Sequence, residues 1–124
     1  MRGDALQTAA ELLRFSHDLE RALNAHLARY SLSMGRFSVL LALHRAEEGR
    51  LTPTLIAEHL FVTRGNVTGL LDGLDADGLI QRNYCTVDRR LLYISLSSKA
   101  ESLLKQILPE LNVLLVPLLV GNEK

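Results

Sequence analysis

Two short helical segments separated by three residues constrain the fold of this 124-residue chain more than any other feature. Leu51-Thr52-Pro53 predicts an extended residue, an N-cap and a proline at the first helical position, so a short helix begins here. Leu55, Ile56 and Leu60 are expected to face inward from it. Phe61-Val62-Thr63 turns the chain, and Thr63 can cap a second helix that Gly78 ends. Two helices joined in this way predict a helix-turn-helix unit.

The hydrophobic period changes immediately after this unit. Apolar residues alternate with polar ones on either side of a polar stretch, which predicts two strands around Leu79-Ile80, Tyr84, Leu92, Ile94 and Leu96. The polar stretch, Cys85 to Arg90, is too long for a two-residue hairpin turn. We therefore expect a projecting loop with Asp88, Arg89 and Arg90 near its tip.

Helical segments flank the unit on both sides. An amphipathic helix of roughly 20 residues or more is expected between Leu6 and Tyr30, and another from about Gly35 to Ala46. Ser97 or Ser98 caps a last helix, whose apolar residues recur at four- and three-residue steps: Leu104, Leu108, Leu111, Leu115 and Leu118. So many apolar positions exceed what one side of a small domain covers, which favours burial against a second subunit.

Composition excludes some classes of protein. A 48% hydrophobic and 23% charged chain is not a disordered one. Because the longest unbroken apolar runs are only a few residues, we expect no membrane-spanning segment and no membrane partner. The N-terminus lacks the pattern of an export signal and the chain has a single Cys, which favours a cytoplasmic location. The formal net charge of zero gives no hint of a nucleic-acid partner.

Motifs of catalysis and metal binding do not stand out, and we expect neither an enzyme nor a cofactor. The stretch GNVTG lacks both the spacing and the Lys of a phosphate-binding loop, and no nucleophile-elbow pattern occurs. The four histidines lack the short paired spacing of a metal site: His17, His26, His44 and His59.

The segment from Leu51 to Leu104 resembles the MarR family of winged-helix transcription regulators. The resemblance rests on the two short helices, the D-G-L before the wing, the D-x-R of the wing and L-S-x-K at the next helix start. It implies a mainly α fold with a small β-wing in a single domain over residues 1–124. Residues 34–97 form the winged helix-turn-helix, and residues 1–33 and 98–124 form dimerisation helices.

The same resemblance implies a function. It suggests a homodimeric, sequence-specific regulator of transcription that binds a pseudo-palindromic operator in double-stranded DNA. Family members usually repress, and release DNA when a small aromatic or lipophilic acid binds or when a sensor Cys is oxidised. Two alternatives remain: a winged-helix module for protein–protein contact without DNA binding, and a constitutive DNA binder without an effector.

Four side chains of the second short helix are candidate DNA contacts. Arg64 can donate two hydrogen bonds to a guanine, and Asn66 can both donate and accept on an adenine. Thr63 and Thr68 can reach a phosphate or a thymine methyl group. Simple capping by Thr63 and plain solvent exposure of the others are the alternative interpretations.

Five further candidates lie in the wing and at the start of the first short helix. By the D-x-R match Arg90 resembles the minor-groove arginine of the family, with Asp88 bracing it and Arg89 near phosphates. Thr52 and Thr54 begin the helix where hydroxyl groups often meet phosphate. The alternatives are a solvated hairpin tip and simple helix capping.

The charges around these candidates cancel. The segment from Phe61 to Leu96 contains equal numbers of arginines and aspartates, four of each: Arg64, Arg82, Arg89 and Arg90, and Asp72, Asp75, Asp77 and Asp88. Because non-specific affinity rests on neutralised phosphates, we expect it to be weak. Specificity should then depend mainly on Arg64 and Arg90.

An effector pocket is expected between the dimerisation helices and the winged unit, as in the family. Its candidate lining residues lie on the first two helices: Phe15, His17, Leu19, Phe37, Leu41 and His44. Apolar residues at helical spacing are more often core than pocket, so a purely structural role is the alternative. Cys85, in the first wing strand, is expected to be an unreactive, half-buried thiol.

Overall fold

The structure, a computed structural model, describes residues 2–60 and 67–122 of the chain. The elements in these residues are α1 (Arg2–Ala28), α2 (Met34–Arg45), β1 (Arg50–Leu51), α3 (Pro53–His59), α4 (Val67–Ala76), β2 (Ile80–Tyr84), β3 (Leu92–Leu96) and α5 (Ser98–Asn122). The predicted class, mainly helical with a small β-wing, is confirmed.

Local capping signals place the ends of the short helices. The Thr52 hydroxyl oxygen accepts a hydrogen bond from the Leu55 amide at 3.3 Å, and Pro53 occupies the first turn of α3. At the other end of the unit Gly78 has a φ of 72°, and the Leu79 amide donates to the Leu74 carbonyl. The left-handed conformation at Gly78 ends the chain's helical path after α4, as expected.

The sheet is antiparallel with strand order β1-β3-β2. Ile80 pairs with Leu96 and Tyr84 with Leu92, and the Cys85 amide donates to the Leu91 carbonyl to close the wing loop. β1 adds a two-residue third strand, in which Leu51 pairs with Ile94. The sequence indicated an extended residue at Leu51 but not its partner, because that partner lies far along the chain.

A single hydrophobic core joins the helices to the sheet. Its fully buried large side chains come from six elements: Leu27, Val39, Leu40, Leu43, Ile56, Leu74, Ile94, Leu104 and Ile107. The expectation that Leu55 faces inward is wrong, since 40% of it is exposed. On the short helix α3 the adjacent Ile56 is completely buried instead, and Leu60 packs against the core at the end of that helix.

Helix α5 has one buried face and one exposed apolar face. Ala100, Leu104, Ile107 and Leu111 pack into the core. The exposed apolar face consists of Val113, Val116, Leu119 and Val120, which are 47–74% exposed.

The length and hydropathy of α5 correct one expectation. Ser98–Gly121 is long and apolar enough, by length and composition alone, to cross a membrane, with a mean hydropathy of 1.7 over an 18-residue window. The length of unbroken apolar runs was therefore the wrong criterion, because a membrane-spanning segment is recognised by its mean hydropathy over the length of a helix. The side chains that α5 places in the core account for part of this hydropathy.

Candidate nucleic-acid interface

Helix α4 presents a polar face beside the wing. Leu71 and Leu74 are buried against the core, while Thr68 and Asp72 are exposed on the other side of the helix. The wing hairpin of β2 and β3 follows directly, and α4 contacts β2. A polar helix face beside a projecting hairpin is the geometry by which winged helices approach a major and a minor groove together.

The tip of the wing holds one arginine in a defined position. The Arg90 Nε and Nη2 atoms donate to the two carboxylate oxygens of Asp88 at 3.1 and 3.3 Å, and the Arg90 amide donates to Asp88 Oδ1 at 3.0 Å. These bonds hold the pKa of the Asp88 carboxyl below its ordinary value, chiefly through the Arg90 guanidinium. The expected bracing of Arg90 by Asp88 is present.

The Arg90 side chain nevertheless remains open to solvent. It is 91% exposed, against 36% for Asp88. A guanidinium has five N–H donors, so the bonds to Asp88 leave donors for an outside acceptor. The pair can therefore present a fixed cationic group to a narrow, electronegative groove.

Arg82 has a different role from the other arginines of the wing. Its Nη2 donates to Asp72 at 2.8 Å and its Nη1 to Asp75 at 2.9 Å. The hydrogen bond with Asp72 is the main reason that the pKa of Arg82 lies above its ordinary value. Arg82 therefore joins β2 to α4.

Arg36 of α2 lies on α4 as well. Its Nη1 donates to Asp77 at 3.0 Å, and its guanidinium occupies the space where a side chain on Gly73 would be. A Cβ atom on Gly73 would overlap that guanidinium. Gly73 thus permits a close approach of the Arg36 side chain of the neighbouring helix α2.

Ser97 joins the end of α4 to the start of α5. Its hydroxyl donates to the Gly78 carbonyl at 2.6 Å and accepts from the Ala100 amide at 3.1 Å, which makes Ser97 the N-cap of α5. The Ser97 amide donates to the Leu79 carbonyl, and Lys99 Nζ donates to the Asp77 carbonyl at 2.8 Å. Of the two serines that the sequence offered as the cap, Ser97 takes that role.

The predicted DNA contacts fall into three groups. Thr63, Arg64 and Asn66 lie outside the described residues. Thr52 caps α3, while Thr54 and Thr68 are exposed at the starts of α3 and α4. In the wing, Asp88, Arg89 and Arg90 share the loop between β2 and β3, with Arg89 and Arg90 exposed.

Comparison with known proteins places the chain in a family. The model of the MarR family matches residues 30–91. The chain belongs to the MarR family. The HTH-type transcriptional repressor YetL of Bacillus subtilis is 35% identical over 105 residues, covering 85% of this chain and 63% of YetL. The chain thus spans a little under two thirds of the length of that relative.

Solved structures of MarR proteins share the fold. A putative MarR-like transcription regulator from Bacillus cereus superposes with a TM-score of 0.82 at 19% identity, over 93% of this chain and 81% of that one. A MarR family transcriptional regulator from Streptomyces coelicolor, in complex with DNA, has a TM-score of 0.78 at 20% identity, over 89% of this chain and 69% of that one. These relatives are transcription regulators, not enzymes.

The candidate effector residues of this MarR chain are not brought together by the structure. Phe37 is a core residue, 3% exposed, and Leu41 faces a small pocket between α2, β1 and α3. On α1, Phe15 and Leu19 are half-buried and His17 is exposed. His44 lines a different and larger groove, so the six candidates do not form one pocket.

That larger groove lies between the end of α2, the strand β3 and α5, with a volume of about 710 Å³. Apolar and charged side chains line it: Leu43, His44, Glu48, Leu96, Glu101, Leu104, Lys105 and Leu108. Ligand sites of a few hundred Å³ commonly combine an apolar wall with few polar groups. His44 is the one predicted effector residue that the structure places there.

A polar cluster joins the two long helices of this MarR chain. His26 Nε2 of α1 and the hydroxyl of Tyr30, in the turn after α1, both meet Glu110 Oε1 of α5, at 2.8 and 2.5 Å. The Tyr30 hydrogen bond, followed by that of His26, lowers the pKa of Glu110 below its ordinary value. The same bond with Glu110 raises the pKa of Tyr30 above its ordinary value.

Sequence reasoning missed Arg36, Glu110 and the joining role of Arg82. The four-residue spacing of His26 and Tyr30, at the end of α1 and in the turn that follows it, is a signal that could have been used. No local sequence pattern singles out Glu110 or Arg36, because the residues that they contact lie far away in sequence. In residues 2–60 and 67–122 no three His, Cys, Asp or Glu side chains converge as metal ligands, and Cys85 is a half-buried free thiol.

Proposed function

We propose that this protein is a sequence-specific DNA-binding repressor of transcription that acts as a homodimer in the cytoplasm. The observation that carries the proposal is the exposed Arg90, held by Asp88 at the tip of a wing that adjoins the polar face of α4. Arg90 enters a minor groove while α4 lies in the adjacent major groove. The relative named as a repressor and the fold neighbour in complex with DNA support this function.

The proposed contacts divide between bases and phosphates. Arg64 and Asn66 read base edges, as the sequence predicts, and Thr63 and Thr68 contact the backbone or a thymine methyl group. Arg89, Thr52 and Thr54 meet phosphates. Because Thr52 already accepts a hydrogen bond from the Leu55 amide, its hydroxyl hydrogen is the group that remains to donate.

The exposed apolar face of α5 supports the homodimer. With the exposed Leu6, Leu12 and Leu13 of α1, it forms a surface of a kind that monomers rarely leave in water. A second copy of the chain buries both. Residues 1–33 and 98–124 then hold the dimer together, and residues 34–97 carry the DNA contacts.

The groove between α2, β3 and α5 supports release by a small aromatic or lipophilic acid. Lys105 supplies an ammonium group for a carboxylate, and Leu43, Leu104 and Leu108 supply an apolar wall. The groove joins α5 to the sheet that carries the wing. A ligand that binds there more tightly in one arrangement of these elements shifts the protein toward it.

Titration of the protein with labelled DNA from the promoter of its own or a divergently transcribed neighbouring gene tests the function. We expect tighter binding than to a scrambled duplex of the same length, and loss of that preference in the Arg64→Ala/Arg90→Ala double variant. Equal affinity for both duplexes would support the protein–protein alternative. If a panel of aromatic acids leaves specific DNA binding unchanged, the protein is a constitutive DNA binder. If an acid weakens DNA binding, Lys105→Ala should reduce that effect and the control Arg45→Ala should not, which would place the acid in the groove.

A further inference from the structure

We propose that Arg36, in the first turn of α2, is a DNA phosphate contact at the flank of the recognition helix α4. The inference rests on the proposed DNA binding and adds a residue from outside the helix-turn-helix pair and the wing. Three observations carry it: the position of the guanidinium over Gly73, its hydrogen bond with Asp77, and its partial exposure of 33%.

The position follows from helix geometry. At about 100° per residue, Gly73 and Asp77 lie on one side of α4, and Asp72 and Asp75 lie on another. The exposed Ala76 lies on the surface between these two sides. Arg36 thus borders the exposed face of α4 on one flank, and Arg82 borders it on the other.

The width of the major groove makes such a flank meet phosphate. A helix with its side chains is about 10–12 Å across, and the groove is about 12 Å wide. When the exposed face of α4 points at the bases, groups beside the helix therefore lie against the sugar–phosphate walls. A guanidinium is well suited to a phosphate there.

Arg36 and Arg82 differ in how many of their N–H donors are used by carboxylate partners. Arg82 donates through both terminal nitrogens to two aspartates. The hydrogen bond from Arg36 to Asp77 uses Nη1 alone, and Asp77 is itself 49% exposed. Arg36 therefore keeps donors that can point outward while Asp77 holds the guanidinium at the edge of α4.

Gly73 is essential to this arrangement, because any larger residue would take the place of the guanidinium. The flexible end of an arginine can move aside, so an alanine at this position would displace Arg36 and leave the fold intact. Gly73→Ala is thus a way to remove the guanidinium from the flank without changing any charge.

Salt titration of DNA affinity tests the proposal with the full chain and a duplex that the wild type binds. Losing a phosphate contact weakens binding to all sequences and lowers the slope of log affinity against log salt by about 1 per bound subunit. For Arg36→Gln and for Gly73→Ala we expect this lower slope, with cooperative thermal unfolding retained in both variants. Arg45→Gln, an exposed arginine at the opposite end of α2, is the matched control and keeps the wild-type slope.

Asp77→Asn separates a phosphate contact from a purely structural tie. If Arg36 binds phosphate, Asp77→Asn keeps the wild-type salt slope, because the guanidinium still meets the DNA while only its tie to Asp77 is lost. If Arg36 only ties α2 to α4, Asp77→Asn lowers the slope as Arg36→Gln does, and the proposal is wrong. A wild type that binds no duplex overturns the proposed function as well, whereas an unchanged slope in Arg36→Gln overturns this inference alone.

Discussion

Arg82 and Asp72 join the first wing strand to the recognition helix through a 2.8 Å ion pair. Asp75, in the next turn of α4, takes the second terminal nitrogen of the same guanidinium. The wing and the helix therefore share a rigid connection, made by a residue that its charge alone would have assigned to DNA.

Replacing Arg82 with Gln should lower the free energy of unfolding by about 1 kcal/mol, because partly exposed ion pairs contribute up to about this much each. Denaturant unfolding measures the loss. Arg89→Gln, on the exposed wing loop, is the control and should change stability by less than about 0.5 kcal/mol. Equal stabilities of the two variants would show that the connection contributes nothing to the fold.

Replacing Ser97 with Ala should lower the free energy of unfolding by about 1–2 kcal/mol. The substitution removes the N-cap of α5 and the hydrogen bond to the Gly78 carbonyl together. Ser98→Ala is the matched control, because Ser98 is exposed and begins the helix without being its N-cap. Chemical denaturation of both variants measures the difference, and comparable losses in the two would contradict the assignment of the cap.

Stability should decrease at acidic pH through Glu110. Because its pKa is lowered in the folded protein, its contribution is complete above the ordinary Glu pKa and is lost as pH falls through the lowered value. The difference in unfolding free energy between wild type and Glu110→Gln should therefore shrink as pH falls from 6 to about 3. A difference that stays constant over this range would contradict the prediction.

Stability should also decrease at alkaline pH, through Tyr30. Its pKa is raised, so the folded state retains the proton and stability is lost as pH rises above the ordinary Tyr value of about 10. Tyr30→Phe should remove this part of the alkaline decline in an unfolding titration. Tyr84→Phe, on the exposed wing strand, serves as the control.

Replacing Asp88 with Asn should weaken DNA binding without destabilising the fold. The variant removes the carboxylate that holds Arg90, so Arg90 must be ordered at the moment of binding. We expect Arg90→Ala to weaken affinity most for duplexes with A·T-rich flanks, whose narrow minor groove attracts arginine. Fluorescence titration against A·T- and G·C-flanked duplexes measures both effects, and a loss in Arg90→Ala that ignores the flanks would assign Arg90 to phosphate.

A charge on the exposed apolar face of α5 should produce monomers. Val116→Glu would bury an unpaired carboxylate in the proposed dimer interface, which is costly. Sedimentation at micromolar concentration measures the mass, and Val87→Glu, at a 93% exposed position in the wing, is the control. A monomeric wild type would contradict the dimer itself.

Sequence reasoning succeeded where the physics is local. The caps at Thr52 and Ser97 and the left-handed Gly78 each depend on atoms a few residues away, and their positions were predicted. The wing followed from an alternating pattern, for the same reason.

Contacts between distant parts of the chain could not be predicted in this way. Arg36 pairs with Asp77 across 41 residues, and His26 with Glu110 across 84. From the sequence alone, Arg36 and Arg82 cannot be distinguished from arginines that contact DNA. Only the folded arrangement shows which carboxylates surround each, and that Leu55 lies on the outside of α3.

The hydrogen bonds at Ser97 connect the winged unit to α5, so the two are expected to move together. With 25 residues, α5 is about 37 Å long at 1.5 Å per residue. A tilt of about 5° at one end of such an arm moves the other end by about 3 Å, close to the 3.4 Å rise of one DNA base pair. In the proposed dimer, a tilt of this size in α5 would therefore change the distance between the two DNA-binding units by about one base pair.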